Sequence, residues 1–387
     1  MATLKKQTLL WSSIYRRQGE ADKRGGIISR LFAILIFLLG AAALRADAAP
    51  GDTAWSAAGI VAAARAEKTL VLYTSLHADE TIKDIRATFE KRYPFLTIKE
   101  ADGDSTVTYE RFRRDVVEGR PSADFVWSSA MDMQQKLIND GYAQPYRSSQ
   151  KPFLPSWTNW RNLGYGVAVE PVAFVYNSRF ISRRDMPNTH AGLRKFLLTE
   201  GDKFKGRIAT YDPKDSQVGV LLLTQDIRIT RDAWDLFDTF GALDAHGYLT
   251  SRDMMEHVVN GDQWLAYDVI ASYAVELQKT HPELVVVYPA DYSLILSRVA
   301  FIAAGAKHPN AAKLFLDFLL SREGQQLFLK HGMGSIRTDM GTQMDPSQPG
   351  RNQIIRIGPA LLSDMDNLVR AQFFRRWNRA RGEHPQG

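Results

Sequence analysis

The run Thr69–His77, TLVLYTSLH, and the residues after it constrain the fold more than any other stretch. Leu70 to Thr74 is β-prone and mostly apolar, and it stops at the polar Thr74-Ser75. Ile82, Ile85, Phe89 and Tyr93 then fall on one helical face, and Pro94 ends the helix. Apolar strand, small polar loop and amphipathic helix open a βαβ unit. The unit recurs. Leu96-Thr97-Ile98 leads into the turn-rich ADGDST at 101–106 and a helix with Tyr109, Phe112 and Val116 on one face. Phe125-Val126-Trp127 breaks into Ser128-Ser129-Ala130 ahead of a helix carrying Met133, Leu137 and Ile138, which Gly141 terminates. Such repetition calls for an α/β fold with parallel strands covered by helices. Ligands in open α/β sheets sit beyond the carboxyl ends of the strands. Thr74, Ser75 and His77 in the first loop, and Ser128 and Ser129 in the third, are therefore pocket candidates.

Farther on, residues 143–168 hold no long periodic run, and Val172–Asn177, VAFVYN, reads as a strand crossing to a second domain. Gly206–Tyr211 is a strand, 212–217 a loop, and Val218–Ile227 a buried helix capped by Ser216 or Asp215. The free N–H groups of that helix start can receive an anion. Residues 231–258 read as helical. Trp264–Ile270 is a strand or strand-to-helix junction, and Ala271-Ser272-Tyr273 begins the next helix. Leu284–Tyr288 is a strand taken back toward the first domain, with the polar turn Pro289–Tyr292 after it and a strand over Arg298–Ala304. One long helix is expected from Asn310, with Gly324 inside its later half. Residues 337–355 read as irregular, and an amphipathic helix over Ala360–Trp377 closes the chain.

Charge and composition narrow the function. The formal charge is +6 and the pI 9.3, but the excess sits near the N-terminus. Arg16, Arg17, Lys23, Arg24 and Arg30 precede an apolar run of about 14 residues from Leu31, followed by Ala46-Asp47-Ala48. The run falls short of the ~20 residues that a membrane span needs, and the order of features is that of a secretory signal peptide over 1–48, with an uncleaved anchor as the alternative. Those 48 residues hold eight basic and three acidic side chains, so their removal takes five from the +6 and leaves about +1. The remaining chain offers no basic excess for nucleic acid. With no cysteine, disulfides, thiolate metal sites and cysteine catalysis are excluded.

Catalytic patterns are missing as well. The eight histidines, at 77, 190, 246, 257, 281, 308, 331 and 384, include no i, i+3 or i, i+4 pair. There is no G-x-S-x-G elbow and no Walker loop. Gly164-Tyr165-Gly166 begins like a dinucleotide loop, but Val169 stands where the third glycine belongs. Ser148–Lys151 matches S-x-x-K without its companion motifs.

Read together, LVLYTSLH (70–77), PSADFVWSSA (121–130), PVAFVYN (171–177), YDPKDSQVG (211–219), NGDQWLAYDVIASY (260–273) and GAKHPNAAKLFLDFLLSREGQ (305–325) resemble a family. It is the type II periplasmic solute-binding proteins of ABC importers, in the branch that includes ferric-ion-binding proteins. The resemblance covers about 69–376. It implies two α/β lobes, each a mixed sheet flanked by helices, with the ligand cleft between them. Lobe 1 would span 69–172 and 289–333, and lobe 2 would span 173–288 and 334–380. Ser216, Gln217 and Val218 at the helix start, and Asp268 to Tyr273, would line the second lobe, with Asp291 and Tyr292 near the cleft. The iron-binding branch has a histidine in the first loop, matched by His77, and a tyrosine pair in the second lobe. Here the paired positions are Ala271 and Ser272, with Tyr273 just after. A ferric ion prefers hard oxygen donors, and His77 with Tyr273 would be its ligands. The hydroxyls and the helix start suit a small organic anion better. The expectation is an exported monomer in the periplasm that needs no cofactor, binds a small solute and delivers it to an inner-membrane ABC permease. Ferric-ion capture is the alternative within the class, and a secreted enzyme on the same scaffold is the alternative outside it.

Overall fold

The structure is a computed structural model that describes residues 57–76, 80–340 and 352–382. The expected signal peptide and His77 lie outside the described residues. In chain order the strands are β1 (Thr69–Thr74), β2 (Thr97–Asp102), β3 (Phe125–Ser128), β4 (Asn159–Trp160), β5 (Gly164–Gly166), β6 (Glu170–Asn177) and β7 (Ile208–Tyr211). They continue with β8 (His246–Tyr248), β9 (Leu265–Ile270), β10 (Leu284–Val287), β11 (Ser293–Leu296), β12 (Val299–Ile302) and β13 (Asn352–Ile354).

Two mixed sheets form. The first has the order β2-β1-β3-β12-β5-β4 and the second β13-β11-β6-β9-β7-β8, with β10 also paired to β6. In the first sheet β1 is parallel to both β2 and β3, while β12 joins β3 antiparallel. In the second, β7 is parallel to β8 and to β9. In each sheet three neighbouring strands are thus paired in parallel, with their carboxyl ends on one edge. The chain leaves the first sheet after Gly166 and enters the second at Glu170. It returns across Ser297-Arg298, between β11 and β12.

Aromatic cores explain why each sheet keeps its helices. Behind the first, Phe89, Phe125 and Phe315 are fully buried and meet edge to face, with Phe318 beside them. Behind the second, Phe237, Phe240 and Tyr267 pack with Trp377 of the helix Asn367–Ala380. Burying each such ring contributes roughly 2–3 kcal/mol.

Four local expectations are corrected. Residues 231–258 are not one helical stretch: Ala233–Ala242 ends, Asp244 takes φ +50°, and β8 follows before the helix Ser251–Asn260. That second helix starts at Thr250, which with Asp253 forms a reciprocal cap. The long helix from residue 309 breaks at Ser321, whose extended backbone and hydroxyl cap a separate helix, Arg322–Lys330. Finally, β10 pairs antiparallel with β6, so LVVVY stays in the second sheet, and Asn352–Ile354 forms a short strand beside β11.

Candidate functional site

Six parallel strand ends meet in one cavity. From the first sheet come Ser75 after β1, Asp104, Ser105 and Thr106 after β2, and Ser129 after β3. From the second come Tyr211 at the end of β7, Leu249, Thr250 and Ser251 after β8, and Ile270 with Tyr273 after β9. Ser216, Gln217 and Val218 complete the wall at the start of the helix Gln217–Ile229. The cavity is small, about 50 Å³, roughly a third of the ~150 Å³ void that takes up benzene.

Nine of its fourteen lining residues carry hydroxyls, and several of these hold one another in place. On the first lobe the Ser129 N–H donates to Ser75 Oγ at 3.2 Å, and the Ser129 and Ser105 hydroxyls bond at 3.0 Å. On the second, the Tyr211 and Ser251 hydroxyls bond at 2.6 Å, and the Ile270 N–H donates to Ser251 Oγ at 3.0 Å. Burial pushes the Tyr211 phenol up from its ordinary value, so it stays protonated. Asp104 contributes the carboxylate of the lining, and its Oδ1 caps the helix Ser105–Val117 through the Thr106 and Val107 N–H groups. Ser216 Oγ accepts from Gly219 N at 3.2 Å. The N–H groups of Gln217 and Val218 belong to the first turn and have no helical acceptor. They bring the positive end of the helix dipole to the wall. Gly219 lets this helix come so close to β7, because a Cβ there would lie 2.5 Å from Tyr211 Cβ.

Polar contacts tie the two lobes together around the cavity. Asp132, fully buried on the helix Met131–Asn139 of the first lobe, accepts a hydrogen bond from Gln217 Nε2 of the second. Gln217 Oε1 in turn accepts from Arg370 at 2.9 Å. Burial pushes the Asp132 carboxyl up to about 7, against the opposing pull of its Gln217 and Met133 donors. On the crossing segments Arg298 pairs with Glu170, both fully buried. Ser272 Oγ donates to Glu170 at 3.0 Å, and Arg298 donates to the Tyr273 hydroxyl at 3.0 Å. The second crossing segment is thus bonded directly to a residue of the cavity wall.

Of the residues singled out in the sequence, Ser75, Ser129, Ser216, Gln217, Val218 and Tyr273 line the cavity. Thr74 and Ser128 do not. Both are buried behind it, where Thr74 Oγ1 accepts from Leu76 N and Ser128 Oγ from Ala130 N, shaping the loops that carry Ser75 and Ser129. Asp268 lies inside the second lobe at φ +59°, beside Asp226. Burial and mutual repulsion hold the Asp268 carboxyl well above the ordinary carboxylate range, and burial raises Asp226 too. Asp291 and Tyr292 line a separate groove with His190, whose ring stacks on Tyr292 at 3.9 Å. Asp104, Ser105, Thr106, Tyr211, Leu249, Thr250 and Ser251 line the cavity without having been singled out in the sequence. ADGDST and the T-x-x-D cap at Thr250 were the available signals.

A family model described as bacterial extracellular solute-binding protein matches residues 70–334. The chain belongs to that family. Among solved structures, a substrate-binding protein of an ABC transporter from Agrobacterium tumefaciens is 31% identical, with a TM-score of 0.77 over 81% of this chain and 94% of that one. Two solved structures of lower identity share the fold. AfuA of Actinobacillus pleuropneumoniae, solved with fructose-6-phosphate bound, is 19% identical with a TM-score of 0.65. Iron-bound HitA of Pseudomonas aeruginosa is 18% identical with a TM-score of 0.62. Each match covers 81% of this chain and 99% of the other. The two-lobed solute-binding fold expected from the sequence is the one observed. Among the described residues, no group of three or more His, Cys, Asp or Glu side chains is placed to hold a metal ion.

Proposed function

We propose that this solute-binding protein captures a small organic anion in the interlobe cavity and delivers it to an ABC permease. One observation carries the reading: the segments after parallel strands of both sheets bring hydroxyl-bearing residues, and the helix at Gln217 brings first-turn N–H groups, to the lining of one cavity. Hydroxyls and first-turn N–H groups are the donors that recognise phosphate or carboxylate oxygens. The ferric alternative is less well supported, because Tyr211 is held neutral by burial and Tyr273 already accepts from Arg298. The protein is exported to the periplasm through residues 1–48, works as a monomer and performs no covalent chemistry. Lobe 1 spans 69–172 and 289–333 and lobe 2 spans 173–288 and 334–380, apart from β11, which pairs with the second sheet. Closure is a hinge motion about the crossing segments, with bound solute shifting the population toward the closed form.

Thermal melting against a panel of phosphate, small phosphomonoesters, small carboxylates, neutral sugars and ferric citrate tests this. A ligand at 100 times its Kd stabilises the native state by about 2.7 kcal/mol. Phosphorylated or carboxylated solutes are expected to raise the midpoint while neutral sugars leave it in place. A shift with ferric salt alone, together with a visible charge-transfer band, would overturn the proposal.

A further inference from the structure

Two helix starts line the cavity from opposite lobes, and their caps differ in charge. The helix Ser105–Val117 of the first lobe begins at Asp104, and the helix Gln217–Ile229 of the second begins at Ser216. The two helices approach one another across the lobes. On the second lobe the cap is a neutral hydroxyl, so the first-turn N–H groups of Gln217 and Val218 keep the positive end of their helix uncompensated. On the first lobe the cap is a carboxylate. Asp104 Oδ1 takes the Thr106 N–H at 2.7 Å and the Val107 N–H at 2.9 Å. A full negative charge exceeds the roughly half charge of a helix start, so this end of the cavity is negative on balance. One small space therefore has a positive wall and a negative wall.

The rest of the lining does not alter that balance. Among the described residues, Asp104 is the one charged side chain in the wall, and no Lys, Arg or His joins it. Asp104 is half-buried. Its recorded bonds all go to Oδ1, and among the described residues Oδ2 has neither a hydrogen bond nor an ion pair. An anion with an apolar tail would be drawn to Gln217 and repelled by Asp104, with no cationic side chain to offset the repulsion. A neutral sugar would serve the hydroxyls and leave both charged walls unmatched. A zwitterion matches both walls and adds no net charge. The volume of about 50 Å³ calls for a solute whose two ends are only a few bonds apart.

We infer that Asp104 determines specificity and that the solute is a small zwitterion, with its ammonium group on Asp104 Oδ2 and its carboxylate or phosphate on the helix start at Gln217 and Val218. This deepens the reading of the cavity as an anion site and rests on it. The two ends belong to different lobes, so both are engaged at once only when the lobes are together, and binding favours closure.

Calorimetric titration of the intact mature protein with three matched pairs tests this, each pair replacing an ammonium group by a methyl: glycine against propionate, β-alanine against butyrate, and phosphoethanolamine against propyl phosphate. At least one zwitterion is expected to bind ~10-fold or more tightly than its methyl partner, as a charge-assisted hydrogen bond allows. Asp104→Asn separates recognition from capping, because Asn caps a helix as well as Asp does. The variant is expected to erase the preference and to bind the methyl-bearing anion more tightly, since the repulsion is gone. A preference that survived Asp104→Asn would overturn the role of Asp104. Equal or weaker binding of the zwitterion in all three pairs would overturn the zwitterion and leave the anion site standing. Failure of all six probes would remove the anion site and the zwitterion together.

Discussion

Asp132, at the contact between the two lobes, is expected to make the stability of the fold depend on pH. Its carboxyl is fully buried where the helix Met131–Asn139 meets Gln217, and its value rises from 3.8 to about 7 because burial outweighs its two donors. Asp364, nearby and paired with Arg228, is itself raised to about 6 by burial and adds to the repulsion. Arg370 reaches the cluster through Gln217 Oε1. A carboxyl whose value is raised on folding favours the native state fully below its unfolded value. That advantage is lost as pH climbs to the folded value, here between about 4 and 7, and the cost is constant above it. About three units at 1.36 kcal/mol each amount to roughly 4 kcal/mol at pH 8. Asp132→Asn places a neutral group of the same shape in the site. At pH 4 it matches the protonated acid, and the two proteins are expected to melt together. At pH 8 the variant escapes the cost of ionising or protonating the buried acid. With ~2.1 cal/mol/K per residue of unfolding entropy, a chain of this size moves roughly 1.5 °C per kcal/mol. The variant is therefore expected to melt about 6 °C higher at pH 8, with the gap opening between pH 4 and 7. Scanning calorimetry at half-unit steps measures it. Parallel curves for the two proteins from pH 4 to 8 would refute the reasoning, because Asp364 is common to both.

Gly219→Ala brings a Cβ to 2.5 Å from Tyr211 Cβ, so denaturant titration should show a loss of about 1–3 kcal/mol, with weaker binding of any solute that uses the cavity. Arg298→Met strands the buried Glu170 charge and is expected to cost about 3–5 kcal/mol, whereas the double variant with Glu170→Leu should recover most of that; an equal loss in both would sink the hinge-pair reading. Asp268→Asn removes one of two facing buried carboxyls, both raised by burial, so urea melts should show higher stability at neutral pH and a shallower fall as pH rises from the acid side.

The first lobe was legible because its units are built alike. β1, β2 and β3 each run into a polar loop and an amphipathic helix, and a period change from two to 3.6 marks each junction. β8 was not legible. Three residues, His246-Gly247-Tyr248, sit on a sheet edge with no apolar alternation to announce them, and the helices on either side absorbed them into one helical reading. The break at Ser321 was missed for a related reason. The apolar spacing continues through it, and only the hydroxyl cap on Gly324 N separates the two helices.

The site divides along the same line, and the division has a physical cause. Ser75 and Ser129 could be found because a parallel strand delivers the residue after its last turn of pleat to the ligand edge, wherever the sheet lies. Asp291 and Tyr292 could not be placed that way. They precede β11, which runs antiparallel to β6, so their turn falls at the edge of the second sheet away from the cavity, against His190. Asp268 shows the limit from the other side: it belongs to the strand that leads to Tyr273, but positive φ and a register shift in the pairing of β9 with β6 accompany a carboxyl turned inward to Asp226. Strand direction and local register, which a single sequence does not encode in its residue types, decide which side of a sheet edge meets the solute. The residues that can be read without them are those at the ends of parallel strands, and in this protein those strands supply most of the cavity.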